Sequence, residues 1–278
     1  MTRLHLDRHL QGRRLGHRGG AILPHRSLWR LRLTARRLVA GALTALFFSA
    51  VLGLAQSTLA MLWSRQLVWW MQALALPGQF AQADLAGIGL LSMPVPLIDL
   101  PLANAGALAL AAHGLACTAL WLAAGWLPDS AKPGAYLLRF AVLIHSASLL
   151  YFLLWPASFA HSLISHIGGG LRQSWTLMLL TPWLHFFTYY LFPFALWQRL
   201  LLTSLTLAYL ALLAPLQYAS HAALLSMLGA VAMPVLHLLL GVMLPILGLV
   251  ALYGWGMSWH DPARKTGPAA LGGHGHAG

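Results

Sequence analysis

The side chains able to do chemistry in this sequence are few, and most of them are imidazoles. Carboxylates are limited to Asp7, Asp84, Asp99, Asp129 and Asp261, with no glutamate anywhere. That absence removes carboxylate-bridged di-iron sites and glutamate bases from consideration. Histidine, present 14 times, is what remains to ligate a metal or carry a proton. His113, His145 and His185 each fall near the middle of a long apolar run, counting about 1.5 Å of rise per residue. If the runs that carry them are neighbours, His145 and His185 would ligate one haem iron from opposite faces. His113 would then be free for a proton path or a copper site. The plainer expectation is a neutral imidazole donating one hydrogen bond to a serine, threonine or carbonyl on an adjacent helix.

A second histidine group, His161, His166, His221 and His237, is expected near one membrane face with Arg172 close by, where it would hold a metal. His161 and His166 are five apart, which departs from the i, i+4 spacing of helical metal ligands. Cys117, the single cysteine, excludes an intrachain disulfide and a thiolate cluster. Together with Arg139 and His145 it has the residue types of a nucleophile, an oxyanion partner and a base. Cys117, however, sits in the apolar stretch Leu115 to Ala119, and Arg139 falls toward the opposite end of its own run. Cys117 therefore reads as a small packing residue, and Arg139 as a snorkelling cation with Asp129 for a partner. Gly168 to Gly170 lack the lysine and hydroxyl of a nucleotide loop and read as a flexible turn. Aromatic clusters such as Trp69-Trp70, Trp155 and Trp255 with Trp259 read as interfacial anchors. The run from Trp183 to Tyr190 reaches deeper, as a lipid- or quinone-contacting surface would.

The elements that must position these residues follow from composition. With 59% hydrophobic and 8% charged residues, the chain lies outside the range of soluble globular folds, where charged residues make up about a quarter. A bilayer core about 30 Å thick needs close to 20 apolar residues per helix. On that measure the chain is an all-α integral membrane protein with about six transmembrane helices. The spans are expected over 38–63, 105–127, 136–155, 176–192, 200–216 and 234–255. Two amphipathic pieces, 65–76 and 219–233, are expected to lie in the interface. Splitting the region from Gln217 to Trp259 in two would give a seven-span alternative. The domain reading is a basic arm over 1–37, a polytopic domain over 38–259 with an external loop at 64–104, and a disordered tail over 260–278.

Ten of the 17 basic residues lie between Arg3 and Arg37, opposed there only by Asp7. Such a run before a span holds its end in the cytosol. Arg13, Arg14, Arg26, Arg30, Arg32, Arg36 and Arg37 are the expected contacts to anionic lipid headgroups. Nothing in the arm supplies a nucleic-acid reading module. With six spans and both termini cytoplasmic, only Arg65 and Arg172 fall outside, the positive-inside pattern of a bacterial-type inner membrane. The residues name no cofactor. The functional expectation is a non-catalytic subunit or assembly factor of an inner-membrane complex, with anionic lipid and other membrane proteins as partners. The alternatives are an intramembrane enzyme acting on a lipid-linked substrate and a histidine-ligated haem or metal redox subunit. A transporter has less support, since the chain has neither an intramembrane carboxylate nor paired broken helices.

Overall fold

A computed structural model describes residues 35–84, 94–100, 102, 106–191 and 194–259. Arg13, Arg14, Arg26, Arg30 and Arg32, and the tail from His260, lie outside the described residues. Arg36 and Arg37 are exposed on the first turns of helix α1, Ala35–Ala73. An antiparallel hairpin follows, β1 Gln79–Asp84 and β2 Pro94–Asp99, with Gln79 opposite Asp99 and Asp84 opposite Pro94. The remaining elements are α2 Ala107–Gly125, α3 Lys132–Leu154, α4 Leu163–Leu191, α5 Leu196–Leu228 and a last helical body, α6, over Ala230–Ser258. Among the described residues the regular structure is these six helical bodies, the small hairpin and two short 3-10 turns, Asp129–Ala131 and Pro156–Ser158, the make-up of an all-α membrane protein. Five of the helical bodies, all but α4, are long and apolar enough to cross a bilayer.

Helix α4 is the central helix. It packs along α1, α5 and β2. Leu163, Ile167, Leu171, Ser174, Met178, Thr181, His185 and Tyr189 are buried at the spacing of one helical stripe. On this stripe Thr181, His185 and Tyr189 face protein, where partners exist, and do not face lipid. The expected turn at Gly168 to Gly170 is consequently helix. The reason is close packing: a side chain at Gly170 would overlap the Tyr218 phenol of α5.

Two further boundaries differ from expectation. Helix α1 has 39 residues and runs on through Ser64 and Arg65, so the expected interface piece is its continuation. At about 1.5 Å per residue it is about 58 Å long, well beyond one hydrocarbon core. Its last turns bury Leu67 and Met71 with Ile98 and Leu100 of the hairpin region. The helix tolerates Ser64 because its hydroxyl bonds back to the Ala60 carbonyl at 2.9 Å. Likewise α5 runs through Pro215 and the expected second interface piece to Leu228. A proline in a helix removes an N–H and leaves the carbonyl four residues earlier without its partner. Here that carbonyl, Ala211, accepts a hydrogen bond from the buried Trp63 indole of α1 at 2.8 Å. Trp175 is also buried in this core.

Helix α6 begins with the 3-10 turn Ala230–Ala232 and contains a π-helical stretch, His237–Met243, between Pro234 and Pro245. The residue four before Pro245 is Gly241, so the widening sits where the proline ring and a missing N–H disturb the ladder. Gly229, with φ of 73°, makes the turn between α5 and α6.

Candidate functional site

Polar residues inside the helical domain form three clusters. The first joins the α2–α3 hairpin to the turn after α5. A helix end leaves carbonyls without intrahelical donors, and Leu228 is the last residue of α5. His113 Nε2 lies 3.0 Å from the Leu228 carbonyl, and Ser148 Oγ donates to the Val231 carbonyl at 2.7 Å. A carbonyl only accepts, so His113 must carry its proton on Nε2 and present a lone pair at Nδ1. His145 Nε2, at 3.0 Å from that Nδ1, is therefore a donor. His145 Nδ1 is left as a buried lone pair without a partner. The chain of two imidazoles has one direction, fixed by the carbonyl at its end.

The second cluster lies between α4 and the start of α5. His185 Nδ1 is 3.0 Å from Thr203 Oγ1, which is also 2.8 Å from Tyr189 Oη. The Tyr189 hydroxyl donates to the Arg199 carbonyl at 3.0 Å. Arg199 in turn donates from Nε to the Phe194 carbonyl at 3.1 Å, with its guanidinium 5.9 Å from the Tyr189 ring. His185 Nε2 is buried and unpartnered. His145 and His185, proposed from sequence as a pair, thus take different partners in different clusters.

The third cluster is at the α4–α5–α6 junction. His166 Nε2 lies 3.0 Å from His221 Nδ1, with the rings stacked at 5.2 Å, and the His237 ring is 5.5 Å from that of His166. The structure therefore brings together three of the four histidines expected here. His161 precedes α4 and packs against the Phe159 ring at 5.5 Å. His221 and Tyr218 are fully buried, and His221 Nε2, His237 Nδ1, Tyr218 Oη and both polar atoms of the Gln217 amide lack partners. Gly241, within the π-helical stretch, borders both rings: a side-chain carbon there would lie 3.3 Å from His237 Nδ1 and 3.7 Å from His221 Cε1. Among the described residues no three histidine, cysteine or acidic side chains converge as they stand on one metal position. Tyr218 and Gln217 escaped the sequence reading, although Gln217 and His221 are one helical turn apart on α5.

Cys117, Arg139 and His145 do not form one constellation. Cys117 is buried in the α2–α3 seam, beside a 300 Å³ cavity lined also by Trp121, Val142 and Ser146. Arg139 holds its guanidinium 5.4 Å from the Trp121 ring. Asp129, expected to pair with Arg139, instead binds Lys132 Nζ at 2.9 Å, three residues away across the helix start. Of the run from Trp183 to Tyr190, Trp183 and Phe187 face outward, whereas Tyr189 belongs to the second cluster. Besides the seam cavity, a groove of about 370 Å³ lies between α4 and α6, bordered by Arg172, Gln173, Leu180 and Gly241. No protein-family model matches the chain, and no curated protein or solved structure is detectably similar to it.

Proposed function

We propose that this chain is a non-catalytic, multi-pass subunit or assembly factor of a membrane complex, with the outward face of α2 as the seat of a partner helix. The observation that carries this reading is the face itself. Only Cys117 and Ala124 of α2 are buried in the protein. Ala112, Ala116, Ala119 and Ala123 form an exposed stripe at spacings of four and three. Small residues so spaced let a second backbone approach closely, which is what drives helix association where lipid removes the hydrophobic incentive. The polar groups of the hairpin support the same reading, since His113 and Ser148 spend their donors on carbonyls of the next helices. A bacterial-type inner membrane with both termini cytoplasmic is part of the proposal, supported by the arginine-rich arm.

Mild-detergent purification of the full chain from its host tests this. The expected result is a stoichiometric companion protein that Ala116→Phe removes while the chain itself stays folded. Replacing His113, His145 and His185 together with apolar residues is expected to leave that companion bound. Retention of the companion by Ala116→Phe, or its absence from the native chain, would contradict the reading.

A second reading, a histidine-ligated metal or haem subunit, draws on the unpartnered nitrogens of His221 and His237 around Gly241. Optical and elemental analysis of the same preparation decides it. A Soret band or stoichiometric metal that His221→Ala abolishes would favour it, and a colourless, metal-free and functional product would end it.

A further inference from the structure

The groove between α4 and α6 has a chemical gradient along its length. Both helices pack on α5 and barely meet each other, which opens the space between them. One end is bordered by Gly169, Arg172 and Gln173 of α4 and by Gly241 of α6. Toward the other end the walls are Leu177 and Leu180 of α4 with Pro245 and Ile246 of α6. Arg172 is exposed and has no acidic partner among the described residues, where the single salt bridge is that of Lys132 with Asp129. At Gly169 a side-chain carbon would meet nothing within 4 Å, so the polar end is roomy. Arg172 lies nine residues into α4, about 14 Å from the helix start, within reach of the headgroup region for a snorkelling arginine. An unpaired cation beside an apolar trough of this volume complements an anionic headgroup that carries an acyl chain.

We propose that this groove is a seat for one anionic phospholipid, its phosphate on Arg172 and Gln173 and an acyl chain laid along Leu177, Leu180 and Ile246. The seat is distinct from the arginine-rich arm and from the alanine stripe of α2, and does not depend on what docks there. Arg172 supplies charge recognition, Gln173 a neutral donor to a phosphate oxygen, and the trough the apolar contact. A zwitterionic lipid would fit the trough, but its own ammonium would meet the arginine unfavourably.

The test uses the full chain purified from equimolar phosphatidylglycerol and phosphatidylcholine in mixed micelles. It is washed at about 0.5 M salt, where the Debye length falls to a few Å and attraction to the arginine-rich arm is screened. Native mass spectrometry then counts the lipids retained. The expected result is one retained lipid per chain, with phosphatidylglycerol enriched about fivefold over the bulk ratio. Arg172→Gln is expected to return the ratio to that of the bulk, and Arg172→Lys to keep part of the enrichment. Gly169→Phe is expected to fold, since its side chain enters open space, and to lose the bound lipid by filling the polar end. Enrichment that survives Arg172→Gln, or no enrichment in the native chain, would overturn the proposal. Loss in Arg172→Gln with full retention in Gly169→Phe would put the lipid on the arginine outside the groove, and would overturn the seat as well.

Discussion

Pro215 has no N–H to give the Ala211 carbonyl, and the Trp63 indole reaches across from α1 to supply one at 2.8 Å. A lost bond of the helix ladder has become a bond between helices. Trp63→Phe should therefore cost about 1–3 kcal/mol, the range for a buried polar group left without its partner. In a Pro215→Ala background the same change should cost less, because the backbone N–H of residue 215 then serves Ala211. A double-mutant cycle of stability in detergent reads the difference, and equal costs in both backgrounds would refute the coupling. The histidine pair follows similar logic. His113→Leu leaves the Leu228 carbonyl without a side-chain donor, whereas His145→Leu leaves only an imidazole lone pair. The first should therefore be the more destabilising, by about 1 kcal/mol in unfolding measurements.

The helices divide into those a hydropathy reading finds and those whose bounds it misjudges. Apolar runs located α2 and α3 within a few residues, because both face outward along most of their length. Helix α4 was expected only from Thr176 onward, since Gly168 to Gly170, Arg172 and the histidines before them read as too polar to span. Polarity along a chain carries no record of what a neighbouring helix offers, and α4 is lined by Tyr218, Thr203 and His221 of α5. Pro94 and Pro96 fall in the expected external loop and stand in β2, because a two-stranded hairpin has only edge strands, where proline is tolerated. Histidine pairing was not legible, because it depends on which helices touch. The α4–α5 contact gives its own prediction: Gly170→Ala should destabilise by about 1–3 kcal/mol through the clash with Tyr218. Tyr218→Leu should relieve most of that penalty, and a thermal-unfolding series of the three variants would show whether it does.

At the scale of the whole molecule, α1, α4 and α5 form the packed centre, with α6 laid against α5. The α2–α3 hairpin stands to one side, held through α3 and the contacts of His113 and Ser148 to the α5–α6 turn. An attached but mostly outward-facing hairpin suits a protein that offers a helix surface to another chain. What covers that surface is the question on which the account turns. A photo-crosslinking residue at Ala116 in living cells answers it most directly, with Leu54, 86% exposed on α1, as the lipid-facing control. The account predicts one discrete protein adduct from position 116 and only lipid adducts from position 54. Lipid adducts alone from both positions would contradict it.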